Sequence, residues 1–151
     1  MRRDGPAGAA IRAADLAHLD AGLAATAHIT DPAARAVAFL RYYEDGADEL
    51  MSEQSGCLYA IVLAERDLTS SEINDQIAKA TRVWRDAIVD LLRPALATRP
   101  GVDIDVHALA DHLYTTAEGD FILCRTYSDP AATRAQLRIY RQLVQALLHA
   151  D

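Results

Sequence analysis

Residues 69–93, TSSEINDQIAKATRVWRDAIVDLLR, decide the fold. Thr69 and Glu72 form a T-x-x-E capping box, in which each side chain satisfies a backbone N–H that the start of a helix leaves free. Ile73, Ile77, Ala80, Trp84, Ile88 and Leu91 then recur at steps of three and four. That spacing stacks side chains on one face of an α-helix. A half-buried strand needs strict alternation, and this stretch has none. Pro94 is expected to end or kink the helix near residues 92–93, because proline lacks an N–H and its ring collides with the preceding turn.

The same periodicity continues in both directions. Upstream, a helix is expected over about residues 7–27, with Leu16, Leu19, Leu23 and Ala27 on one face. A second starts at Asp31-Pro32, where Asp suits the N-cap and Pro the first helical position. It buries Ala36, Leu40, Tyr43, Ala47 and Leu50 or Met51, and stops near residues 52–56. Residues 57–64, CLYAIVLA, are apolar throughout. Periodicity cannot separate strand from helix there, and helix is the reading because no partner strand exists elsewhere in the sequence. Downstream, a helix begins at Asp103 or Asp105 and carries the stripe Val106, Leu109, Leu113, Ala117, Phe121 and Cys124, with Ile122 and Leu123 extending its apolar surface. The last starts at Asp129-Pro130. It has Leu137, Tyr140, Val144 and Leu147 on one side and Ile139 and Leu143 on another. A helix apolar on two sides needs two neighbours. The expectation is an all-α, six-helix, bundle-like domain whose last two helices pack against their copies in a homodimer. Gly119 sits mid-helix, where it costs about 1 kcal/mol relative to Ala but lets two helices approach closely.

Composition narrows the function. With 151 residues, 51% hydrophobic and 25% charged, the chain fits one globular domain. Its net charge of −7 argues against nucleic-acid binding, which needs a basic patch to meet phosphates. No apolar run reaches the roughly 20 residues that span a bilayer. Arg2 and Arg3 are not followed by the apolar core of a secretory signal. Two cysteines fit a reduced cytosolic protein better than a disulfide-stapled one.

Motifs for chemistry are missing. The seven glycines form no G-x-G pair, so neither a dinucleotide fingerprint nor a P-loop can be built. There is no H-E-x-x-H and no G-x-S-x-G. Asp15 and His18 make one D-x-x-H, short of the two E-x-x-H turns of a di-metal bundle. Asp103, His107 and Asp111 share a helix face at steps of four and read as a solvated polar face. His112 points elsewhere on that helix, and His28 and His149 lie at helix ends. Cys57 and Cys124 sit in apolar stretches, where a thiol behaves as a small hydrophobe. No catalytic residue, metal or cofactor is expected. What stands out is a set of aromatics from different helices, Tyr42, Tyr43, Tyr59, Trp84, Tyr114 and Phe121, with Glu118 one turn after Tyr114. Singly each is compatible with core packing. As a set they suit the lining of a cavity for an apolar ligand.

From residue 9 to 150 the sequence resembles the C-terminal effector-binding and dimerisation domain of TetR-type transcriptional regulators. D-P-A-A-R at 31–35, G-C-L at 56–58 and A-E-R at 64–66 carry the resemblance. So do Arg82, Trp84 and Arg85 in R-x-W-R, L-L-R at 91–93, A-E-G at 117–119, C-R at 124–125 and S-D-P at 128–130. The resemblance implies an all-α fold, a four-helix dimer contact made by the last two helices and a central pocket for small molecules. It puts Tyr43, Tyr59, Trp84, Tyr114, Glu118 and Phe121 at the pocket, and Gly119, Leu123, Leu137, Tyr140 and Val144 at the dimer contact. Family members carry a DNA-reading helix-turn-helix ahead of this domain, and residues 1–30 contain no recognition helix. The expectation is a flexible end over residues 1–8 and a sensing and dimerising domain over 9–151 that does not bind an operator by itself. A second expectation is an interaction module that pairs with a full-length regulator and modulates it.

Overall fold

The computed structural model describes residues 6–53, 71–129 and 131–149. These form five helices: α1 (Pro6–Ala25), α2 (Pro32–Glu53), α3 (Ser71–Ala97), α4 (Val106–Tyr127) and α5 (Ala131–His149). Among the described residues there is no strand, so the all-α expectation stands. The helix expected at 57–64 and the Thr69–Glu72 capping box lie outside the described residues.

Three aspartates start three helices as their positions imply. Asp31 accepts from the Ala34 N–H at 2.7 Å, Asp105 from His107 at 2.9 Å and Asp129 from Ala131 at 2.9 Å. Each satisfies a donor that a helix N-terminus leaves free. α4 ends at Ser128, which takes the left-handed conformation at φ 54°. That geometry lets the Asp129 N–H reach back to the Cys124 carbonyl at 3.2 Å. The chain can therefore reverse into α5 within a few residues.

Of the two outcomes expected at Pro94, one is overturned: the helix does not end near residues 92–93, and α3 runs on past the proline to Ala97. Leu91, Leu92 and Ala95 on either side of it are all buried. Their burial outweighs the roughly 3 kcal/mol that an interior proline costs a helix. Pro94 itself faces solvent.

Leu19 of α1, Phe39 and Leu40 of α2, Ile88 and Leu92 of α3, Leu113 of α4 and Tyr140, Val144 and Leu148 of α5 make one contiguous core. The Tyr140 hydroxyl donates to the Leu109 carbonyl at 2.7 Å, which lets a phenol sit 2% exposed without an orphaned group. Burial also pushes its pKa upward. α1 lies close on α2 because of Gly22. A Cβ there would fall 2.9 Å from Tyr42 Cδ1 and 3.0 Å from Phe39 Cε2.

α2 and α5 are joined by charge as well as by apolar packing. The buried carboxylate of Glu44 accepts from Arg138 Nε at 2.8 Å and from Arg141 Nε at 2.7 Å. One turn further along α2, Asp48 meets Arg134 Nη2 at 2.7 Å. Burial pushes the Glu44 pKa up, but the two arginines outweigh it and hold the carboxyl below the usual glutamate range. The stability Glu44 contributes is present above its unfolded pKa and is lost as pH falls through the folded one. Glu44→Ala leaves Arg141 buried without its partner, a loss of about 3 kcal/mol. For a chain of this length the expected fall in melting temperature is roughly 6–12 °C. The double variant Glu44→Leu/Arg141→Met should recover most of it. A single variant melting within about 2 °C of wild type would show that the ion cluster contributes little.

Candidate functional site

α3 and α4 run side by side with polar ties along their exposed edge. Arg85 Nη1 lies 3.6 Å from Asp111, and Arg93 Nη2 lies 3.3 Å from His107 Nε2. Two members of the Asp103–His107–Asp111 set are thus engaged by arginines. Among the described residues no group of three or more His, Cys, Asp or Glu could hold a metal ion. Further along the same helix pair, Trp84 and Tyr114 meet edge to face, 5.7 Å between centroids and 63° between planes. This is the favoured geometry for two rings with opposed quadrupoles. Glu118 and Phe121 follow Tyr114 on α4, both half-buried. Tyr43 belongs to a second aromatic group. It stands edge-on to the His18 ring at 4.7 Å and lies 4.9 Å from Phe39. Tyr59 lies outside the described residues. The structure therefore joins Trp84 to Tyr114 and gives Tyr43 partners on α1 and α2.

The residues assigned to the dimer contact divide. Leu137, Tyr140 and Val144 are 4%, 2% and 1% exposed and belong to the chain's own core. α5 turns that side towards α2 and α4. Gly119 and Leu123 of α4 are half-buried. A Cβ on Gly119 would meet nothing within 4 Å. The large apolar side chains that face outward on these two helices are Ile122, Tyr127, Ile139 and Leu143, at 65%, 67%, 50% and 53% exposed. Beside Leu143 an open groove of 430 Å³ runs between α4 and α5, walled by Ile104, Leu109, His112, Ala146 and Leu147 and floored by Tyr140 and Val144. His112 packs against the Tyr140 ring there, 5.6 Å between centroids.

One residue that the sequence reading passed over is Asp120. It is 2% exposed, and its Oδ2 is fully screened from solvent without a hydrogen-bond partner. It lies on the inward face of α4, seven residues after Leu113 and four before Cys124, both buried. The signal was available, since the stripe from Ala117 to Cys124 passes through position 120. Cys124, one turn on, is buried with its Sγ 3.0 Å from Thr133 Oγ1.

Burial raises the Asp120 pKa to about 7. The unfolded chain releases this proton near pH 4, as an ordinary aspartate does at about 3.9. The folded chain holds it up to about pH 7. Asp120 therefore favours folding fully below its unfolded pKa, and that contribution is lost as pH rises towards 7, by at most about 1.4 kcal/mol per pH unit. The nearby arginines of α5 do not offset it, because Arg134 is held by Asp48, and Arg138 and Arg141 by Glu44. Asp120→Asn should melt higher than wild type at pH 8, with the gap closing by pH 5. Thermal denaturation of both proteins across this range measures it, and parallel profiles would contradict the buried, unmatched acid.

No helix among the described residues is long and apolar enough to cross a membrane. The sequence matches the family model described as tetracyclin repressor-like, C-terminal domain, over residues 32–140. No curated protein and no solved structure matches the chain. The matched span runs from the Asp31-capped start of α2 to Tyr140 in the core of α5 and so takes in Glu44 and Arg138 of the α2–α5 ion cluster, the Trp84–Tyr114 pair and Asp120. The chain belongs to the tetracycline repressor-like C-terminal domain family.

Proposed function

We propose that this chain is the sensing and dimerising module of a TetR-type transcriptional regulator, and that it acts by binding rather than by catalysis. The observation that carries the reading is the two-sided character of α4. Its inner side holds Tyr114 against Trp84, with Glu118 and Phe121 beside them. Its outer side shows Ile122, and α5 shows Ile139 and Leu143. Family membership supports both roles on one domain.

In this reading a small apolar or amphipathic effector sits among Tyr43, Tyr59, Trp84, Tyr114, Glu118 and Phe121. The outer faces of α4 and α5 pair with the same faces of a second copy across a two-fold axis, so each contact occurs twice. Burying the exposed parts of Ile122, Ile139 and Leu143 contributes on the order of 1 kcal/mol per side chain. The groove beside Leu143 gives a partner side chain a place to enter. Gly119 fits this arrangement. It costs α4 about 1 kcal/mol, and among the described residues nothing occupies the space it leaves. An effector regulates only to the extent that it binds one arrangement of α4 more tightly than another.

Native mass spectrometry tests the pairing. A species near twice the 16.4 kDa chain mass is expected. Ile139→Glu/Leu143→Glu should give a folded monomer, since both side chains are already solvent-exposed in the single chain. Gly119→Leu should weaken the dimer with helical content unchanged. A wild-type chain that stays monomeric at high micromolar concentration would sink the dimer reading. Trp84 is the single tryptophan, so its emission reports on occupancy of the inner side of α4. An emission unmoved by a ligand that remains bound in native spectra would place the effector elsewhere.

A further inference from the structure

The apolar groove between α4 and α5 has one wall residue of the type that changes charge near neutral pH. His112 of α4 stands there opposite Leu143 and Leu147 of α5. Its ring packs on that of Tyr140 in the floor, 5.6 Å between centroids. The Tyr140 hydroxyl donates to the Leu109 carbonyl, so the floor spends its O–H inside the chain. On α4 the exposed Ala108, His112, Thr115, Ile122 and Thr126 recur at steps of three, four and seven, which puts them on one side. On α5 the exposed Ala135, Ile139, Gln142, Leu143 and Ala146 do the same. Apart from His112, neither row carries an ionisable group. Charged neighbours on the same helices are turned elsewhere. His107 and Asp111 meet Arg93 and Arg85 of α3, and Glu118, two turns after Asp111, is half-buried on that flank. Arg134, Arg138 and Arg141 meet Asp48 and Glu44 of α2. Asp103 and Asp105 flank Ile104 in the groove wall, but Asp105 caps α4 and neither lines the groove. His149 stands one turn past Ala146 and is the other imidazole on this side of α5.

We propose that His112 makes the pairing of two copies pH-dependent: the dimer holds both imidazoles neutral and comes apart as they take up protons. This rests on the pairing through the outer faces of α4 and α5 read above and adds how that pairing is regulated. A partner side chain that enters the groove strips water from His112, and none of the groove's described walls is a carboxylate that could match an imidazolium. The Tyr140 ring attracts an imidazolium, but it does so in the single chain as well and leaves the difference unchanged. An imidazole in water changes charge near pH 6.5. Pairing lowers that value, so affinity is full above it and is lost as pH falls below it. Each histidine then costs up to about tenfold in affinity per pH unit, and a two-fold pair has two of them. The overall charge acts in the opposite direction. It shrinks from −7 towards zero at the pI of about 5.1, which by itself would bring copies together at low pH.

Sedimentation equilibrium of the whole chain at pH 5.5, 6.5 and 7.5 reads the dissociation constant. It is expected to rise about a hundredfold from pH 7.5 to pH 5.5. His112→Gln keeps a neutral polar side chain at an exposed position. Its constant should stay within about threefold across the range, while His149→Gln should keep the wild-type slope. A wild-type constant that is flat, or that falls towards pH 5.5, would overturn the proposal and leave the dimer reading standing. So would a slope that survives His112→Gln or vanishes in His149→Gln. A wild-type chain that stays monomeric at pH 7.5 and high micromolar concentration would overturn both. If His112→Gln fails to pair, proton NMR of wild type decides. The His112 ring should titrate at lower pH in concentrated than in dilute solution, and equal midpoints would overturn the proposal.

Discussion

The arrangement of this domain depends on one buried carboxylate. Glu44 holds Arg138 and Arg141 across the α2–α5 contact at 2.8 and 2.7 Å. A buried ion cluster of this kind is a poor source of net stability, because desolvation consumes much of the Coulombic gain. Its geometric effect is larger. Any rotation of α5 about its axis would strand Arg141 in the interior and leave Glu44 unmatched. The cluster therefore fixes which side of α5 faces α2. With Arg134, Arg138 and Arg141 committed to that side, Leu137, Tyr140 and Val144 fall into the core, and Ile139 and Leu143 are left outside. The same commitment leaves α5 with no cation to spare for Asp120.

α4 inherits the consequences. It has an inner side shared with α3 and α5 and an outer side that exposes Ile122. Such a helix couples whatever happens on its two sides, because a close-packed helix moves as a body rather than residue by residue. Gly119 and Asp120, adjacent in sequence, show the division. The first leaves open space on the outside. The second buries an acid on the inside. Each is locally unfavourable for a helix in a lone domain. Residues that break a local rule without an internal reward tend to mark functional positions.

Much of the architecture was legible before the structure. The aspartates at 31, 105 and 129 announced three helix starts, and apolar spacing at three and four announced the faces. The family was legible too, from short motifs whose order matters more than any one of them. The local rule at Pro94 allows an end or a kink, and the burial of Leu91, Leu92 and Ala95 around it carries the helix on. That Leu137, Tyr140 and Val144 lie in the chain's own core was not legible. Periodicity identifies the two apolar sides of a helix but not which of them faces its own chain. Asp120 was missed because the stripe was read through its apolar members, so a polar residue on the same face drew no notice. Tyr43, grouped with Trp84 and Tyr114 by type, has His18 and Phe39 as neighbours, and side-chain type carries no information about which helices touch.

The sequence by itself determined the helical class, the helix starts and the family, because these rest on interactions within a few residues and on periodicities written along the chain. Tertiary structure alone decided which apolar side of α5 is inside, that α3 continues through Pro94, and that Glu44 is matched while Asp120 is not. Glu44 lies 94 and 97 positions from its arginines. The environment of a buried charge is set by whatever the fold carries to it, and no local pattern encodes that.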